Sequence, residues 1–220
     1  MAREKKITAK LVINTDLKSS YREEDGQMVY PVYVQMTYDR KTTSFPMHPY
    51  NYIQDGDSEN LEMISDVFLP DVFQIAEHEK SRKGKFTVRG FSHIYHKYTH
   101  SLDVMIELYG CLLVDDRLQE ILTVKEYGKL QKEGKGLEGR RLDNLLELLE
   151  EDDLKKASRV VFTHRLFSKI NMPPLSARVW LIAEDEDVKK VKAQLSSAES
   201  ALVEKSVYQM IDDKNFRGLM

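Results

Sequence analysis

A chain of 220 residues with 41% hydrophobic and 31% charged side chains can fold as one sizeable domain or two small ones and stay soluble. Its net charge of -3 excludes a molecule-wide polycation, so any grip on nucleic acid has to come from a local basic face. The single cysteine, Cys111, excludes an intramolecular disulfide and a cysteine-based zinc site, and no apolar run reaches the length of a membrane span.

The charged opening, Met-Ala-Arg-Glu-Lys-Lys, predicts no secretory signal, so the expected location is a cytoplasm or a virion assembled in one. Ile7 to Asn14 reads as a strand, and Ser19 to Gln27, around Asp25-Gly26, as a connection. Val29 to Tyr38 alternates, with Val32, Val34 and Met36 on one face and Tyr33, Gln35 and Thr37 on the other. Asp39-Arg40-Lys41 turns the chain and Thr42 to Met47 returns, with Pro31 and Pro46 expected at an edge or a strand end. Residues 1–54 are therefore expected to form an antiparallel β subdomain, with a boundary between His48 and Ser58. Residues 55–220 are expected to be a mainly α-helical region with short strands.

Within that region, Glu59 to Lys80 predicts two short helices parted at Pro70, and Ser81 to Lys85 a basic turn. Phe91, Ile94, Tyr95, Tyr98, Leu102, Met105, Ile106, Tyr109, Leu112 and Leu113 recur at helical spacing and predict one long central amphipathic helix from Phe91 to about Val114. Thr123 and Glu126 have the spacing of a capping box. Gly134, Gly136 and Gly139 mark a loop before a leucine-dense helix, Leu142 to Leu149. Two later strands are expected at Arg159 to Phe162 and Arg178 to Ala183, and Val188, Val191, Leu195, Ala198 and Leu202 predict a final helix. The expected fold class is α+β.

Catalytic patterns are missing. The glycines at 134, 136 and 139 follow a helix and lack a Lys-Ser/Thr pair, and no Gly-x-Ser-x-Gly elbow occurs. Cys111, between Gly110 and Leu112, reads as a small buried hydrophobe. His93, His96 and His100 would line up on one helix at i, i+3 and i+7, with Asp103 and Glu107 continuing the face. Imidazoles so placed suit a transition metal, but the pattern is not HExxH, and a polar interface face is the preferred reading. No cofactor is expected.

Two basic segments carry interleaved aromatics. Lys5, Lys6, Lys10, Arg40 and Lys41 accompany Tyr21, Tyr30, Tyr33 and Tyr38, while Arg82, Lys83, Lys85 and Arg89 surround Phe86. Such sets can sit on phosphates with rings available for stacking, or they can merely solubilise a sheet whose tyrosines pack across strands. Glu150, Glu151, Asp152 and Asp153 form an acidic run, read as a solvated face that could meet a basic one.

Lys10 to Pro46, above all the run Tyr-Pro-Val-Tyr-Val-Gln-Met-Thr-Tyr-Asp-Arg-Lys from Tyr30 to Lys41, resembles the opening sheet of arm-type DNA-binding domains in phage-type tyrosine integrases. The resemblance implies a three-stranded sheet that contacts DNA. It does not extend to recombinase activity, because His164-Arg165 lacks the His-x-x-Arg spacing and Tyr208 stands without a catalytic context. The chain also looks like small proteins of tailed phages and mobile elements. Two functions are expected from this reading, the first preferred and the second its alternative. One is a non-enzymatic structural or adaptor protein that forms a homo-oligomer or joins other proteins, such as a neck or tail-ring component of a tailed-phage virion. The other is a DNA-binding accessory protein that uses the N-terminal sheet. No membrane partner is expected.

Overall fold

The structure, a computed structural model, describes residues 5–15, 22–24, 27–47, 52–54, 56–132, 142–155, 157–183 and 185–218. The chain is α+β: strands lie in its first part and helices dominate the remainder. It divides into two compact units, Met1–Thr99 and His100–Met220. The boundary expected near residue 54 therefore falls inside the first unit. The reason is packing, since the helix that follows the sheet lies on its first strand and the next helix lies on its fourth.

The first unit is organised by one long strand. Strands β1 (Thr8–Ile13), β2 (Arg22–Glu24), β4 (Lys41–Pro46) and β5 (Tyr52–Gln54) all pair antiparallel with β3 (Gln27–Tyr38). β1 and β4 flank residues 32–38 of β3, and β2 and β5 flank residues 27–31. Pro31 stands where the two flanking pairs change over, and its carbonyl accepts the Asn14 N–H at 3.2 Å. A residue with no N–H fits a point where the ladder passes from one partner to another. Val32, Val34 and Met36 are fully buried, as the alternation requires, together with Leu11, Phe45 and Met47.

Helix α1 runs unbroken over Ser58–Lys83 although Pro70 lies inside it. The two short helices expected there are one, because its ends are well fastened. The Asp57 carboxylate accepts the Asn60 N–H at 3.1 Å, and Gly84 closes the other end in the left-handed region (φ 63). The second half also buries Val72, Ile75, Ala76 and Glu79, which offsets the hydrogen bond lost at Pro70.

The long helix expected from Phe91 to Val114 is three helices: α2 (Val88–Ser92), α3 (Tyr95–Thr99) and α4 (Leu102–Ile121). Thr87 caps the start of α2, its Oγ1 accepting the Gly90 N–H at 3.1 Å, and hydroxyl residues mark the α3–α4 break: Thr99 Oγ1 donates to the His96 carbonyl at 3.1 Å, and Ser101 donates to the Asp103 carboxylate. The Leu102 N–H is drawn away to the Leu175 carbonyl at 2.6 Å. The apolar positions are still buried, because each short turn preserves the spacing: Phe91, Tyr95, Tyr98, Leu102, Met105, Ile106 and Tyr109 all lie inside.

The second unit is helical around α4. Helices α5 (Val124–Lys132), α6 (Leu142–Leu146), α7 (Ser158–Lys169) and α10 (Ser197–Asp212) pack on it. Helices α8 (Ala177–Leu181) and α9 (Glu186–Lys192) lie between α7 and α10 in sequence, and a 3-10 turn covers Glu151–Leu154. The two later strands expected from sequence are absent. Arg159 to Phe162 lies in α7, and Arg178 to Ala183 lies in α8 and the turn after it. Burial overrides the strand preference of Val160, Val161 and Phe162: α7 places Val160, Val161, Thr163, Leu166 and Phe167 inside at helical spacing. The final helix is divided into α9 and α10 by a capping box, in which the Ser196 hydroxyl and the Glu199 carboxylate each take the other's backbone N–H. The expected box at Thr123 forms in the same way, with Thr123 N–H donating to Glu126 at 2.9 Å. The glycine loop at 134–139 lies outside the described residues. No helix among the described residues is long and apolar enough to cross a membrane.

Leu102→Ala and Met105→Ala, both at fully buried sites, should each destabilise the second unit by about 2–5 kcal/mol in urea titration. A loss under half a kcal/mol for both would mean that α4 does not carry the core. Burial, with the Glu107 carboxylate adding to it, pushes the Cys111 thiol up to about 11. Iodoacetamide at pH 8 should therefore label the native protein roughly a hundredfold more slowly than the guanidinium-unfolded chain. Rates within threefold of each other would place the thiol in solvent.

Candidate nucleic-acid interface

The β3–β4 connection is a two-residue turn, because Tyr38 pairs with Lys41 and only Asp39 and Arg40 lie between. Both adopt positive φ, 51 and 62 degrees. That geometry favours Asn-Gly, since a side chain in the left-handed region crowds its own carbonyl. Here an arginine occupies the position best suited to glycine, and its side chain is exposed at the hairpin tip. Lys5 Nζ meets Asp39 Oδ2 at 2.8 Å, which holds the Asp39 carboxyl below its usual range and the Lys5 ammonium above its own.

Aromatic packing brings the second basic segment to this hairpin. The Tyr38 ring stands edge-on to Phe86 at 5.2 Å, and Lys80 Nζ lies 5.9 Å above the Tyr38 ring. Phe86 packs tilted against Phe91 at 5.6 Å, Phe91 meets Phe45 edge-on at 5.8 Å, and Phe45 packs tilted against Tyr95 at 5.2 Å. Five rings thus run from the strand end through the turn after α1 into α2, α3 and β4. Their consequence is electrostatic: Lys5, Lys6, Arg40 and Lys41 share one end of the unit with Lys80, Arg82, Lys83 and Lys85.

These cations divide into two groups. Lys5 is held by Asp39, and Lys80 reaches Glu77 at 3.1 Å. Arg82 and Lys83 both grip Glu79, at 2.7 and 2.9 Å. Glu79 is a buried carboxylate, 2% exposed, that also accepts the Tyr98 hydroxyl. Burial alone would raise its pKa, but the Tyr98, Lys83 and Arg82 donors together bring it below 4.5. Its work is to lock the end of α1 onto α3. Lys6, Arg40, Lys41, Lys85 and Arg89 are exposed and form no salt bridge with a described carboxylate, although Arg40 and Lys41 stand near enough to Asp39 to help lower its pKa. Lys10 is also exposed, further along β1 opposite Gln35.

The other sequence candidates are not brought together. His93 is exposed at the end of α2, His96 is half-buried in α3, and His100 opens the second unit, so the line at i, i+3 and i+7 does not form. Among the described residues no group of three His, Cys, Asp or Glu side chains could hold a metal. Lys97, between those histidines, is buried, which the histidine spacing did not indicate. In the acidic run, Glu150 and Asp152 are exposed, and Asp153 takes Arg117 Nη2 at 2.7 Å. The Glu151 side chain lies outside the described residues.

No protein-family model matches the chain, and comparison with curated proteins and with solved structures gives no match to either.

Glu79→Gln should cost the first unit about 1–3 kcal/mol at pH 7, because it strips the ionic acceptor from three donors. The folded pKa lies below the unfolded value near 4.5, so the stabilisation is complete above that pH and is lost as pH falls through the folded pKa. Urea titrations of parent and variant should therefore differ at pH 7 and converge once the pH has fallen below the folded pKa of Glu79. A gap independent of pH would show that the carboxylate's charge contributes nothing.

Proposed function

We propose that this chain is a non-enzymatic nucleic-acid-binding accessory protein, and that the basic end of its first unit lies along the phosphate backbone of duplex DNA. The observation that carries this reading is the Tyr38–Phe86 contact, which unites two basic segments far apart in sequence. Two further features support it. Arg40 is retained in a backbone conformation that glycine would occupy at less cost, an arrangement more readily understood if the tip needs a cation than if it only needs to turn. Lys6, Arg40, Lys41, Lys85 and Arg89 form no salt bridge with a described carboxylate, while Arg82 and Lys83 are engaged by the buried Glu79 and Lys5 by the exposed Asp39. The resemblance of residues 10–46 to arm-type DNA-binding sheets points the same way.

The structural or virion-adaptor reading takes second place in the form first expected. It paired the basic sheet with residues 150–153, yet Lys5 is satisfied by Asp39 and Asp153 by Arg117.

Binding of this kind releases counterions, so its affinity falls steeply with salt. Engaging the five available cations would give a log–log slope of about -4.5, hence roughly a 500-fold loss between 50 and 200 mM salt. In fluorescence anisotropy with a labelled duplex, Arg40→Gly should weaken binding and reduce the slope by about 1. The same variant should be as stable as the parent or more so, by up to about 1 kcal/mol, because glycine relieves the turn. Absence of binding at 50 mM salt, or binding indifferent to salt, would remove this proposal.

A further inference from the structure

Helix α1 changes character along its length. From Asp55 to Glu79 the chain has no lysine or arginine, and from Lys80 to Arg89 it has no carboxylate. In the acidic half, Met63 and Val67 are 62% and 65% exposed. Four residues apart on a helix, they sit one turn above the other, about 6 Å apart along the axis. Glu59, Glu62 and Asp66 surround them, exposed and without an ion pair to any described residue. Two large apolar side chains in an acidic field are a poor solvent-facing surface and a good interface one.

The second unit has a counterpart of opposite sign. Between α7 and α10 lies an open groove of about 700 Å³. Phe162, 49% exposed, and Leu202 and Ala198 give it an apolar lining, and Lys155 and Arg159 stand at its rim. The groove is firmly built: Thr163 and Ser206 share a buried hydroxyl–hydroxyl bond of 2.7 Å that ties the two helices together. Among the described residues lining it the one carboxylate, Glu199, is turned to its own helix start, taking the Ser196 N–H and hydroxyl at 2.8 Å each. Arg159 makes only a long contact among the described side chains, to Gln209 at 3.4 Å, and Lys155 only a loose one, to Asp152 at 3.9 Å.

We propose that the acidic half of α1 docks in the α7–α10 groove of a second copy of this chain. Met63 and Val67 would cover Phe162 and Leu202, and Glu62 and Asp66 would meet Lys155 and Arg159. The chemistry of each patch specifies the other: apolar centre against apolar centre, carboxylate rim against cationic rim. The two patches are different surfaces, so the contact is heterologous, and each copy that uses its helix still offers its groove. Copies therefore add head to tail, and the basic end of the first unit takes no part in the contact. This inference is independent of nucleic-acid binding.

The test is sedimentation velocity without nucleic acid, at several protein concentrations and two salt concentrations. The parent should show a weight-average mass that rises with concentration and falls with salt. Lys155→Glu/Arg159→Glu reverses the groove and Glu62→Lys/Asp66→Lys reverses the helix; each variant alone should remain monomeric. Their equimolar mixture should associate again, because each supplies the face that the other lacks, and this recovery also shows that both are folded. A parent that stays monomeric at the highest concentration overturns the proposal. So does association untouched by both reversals, or reversals that abolish it with no recovery on mixing.

Discussion

The ring contacts from Tyr38 through Phe86, Phe91 and Phe45 to Tyr95 hold the first unit in its shape. Without them the β3–β4 hairpin and the turn after α1 would be two unrelated basic segments. With them, the position of every cation at that end follows from where five apolar side chains pack. Glu79 completes the arrangement from within, since one buried carboxylate holds Tyr98 of α3 and the last turn of α1 together. Hydrophobic packing thus sets the geometry and a single ionic node fixes its angle, a division of labour expected where a buried charge must be fully satisfied.

Much of the sheet was legible in the sequence because a strand with one buried face has to alternate. Val32, Val34 and Met36 announced their side, and the register of β3 against β1 and β4 follows. The short partners β2 and β5 were not legible, since three-residue strands carry too little pattern to be distinguished from a loop. Helical spacing identified which residues from Phe91 to Tyr109 are buried but not where the helix is interrupted. For the α3–α4 break that information lay in Thr99 and Ser101, whose hydroxyls compete with the backbone ladder, and in a carbonyl at Leu175 that no local pattern could reveal.

The candidate site divides along the same line. Each basic segment could be read from composition, but their union could not, because it depends on a ring–ring contact between Tyr38 and Phe86. The groove between α7 and α10 was hidden for a different reason. Its α7 side sits where β-branched and aromatic composition suggests a strand, and a strand reading places Phe162 and Arg159 in a different environment altogether. The histidines show the converse failure, since a regular spacing has meaning only if one helix carries it.

A sheet in which each of the other described strands pairs with β3 has one strand that cannot leave alone. Elsewhere an outer hairpin can open while its neighbours stay zipped, and amide exchange then reports a gradient of protection across the strands. Here β1, β2, β4 and β5 can each let go of β3 singly, but β3 cannot leave any of them without dissolving the sheet. A β3 amide is freed when the one strand it bonds lets go, but all of its amides are freed together only when the sheet dissolves, so that one strand acts as the unit's clock: the interval between simultaneous exchange events along it is the interval between unfoldings.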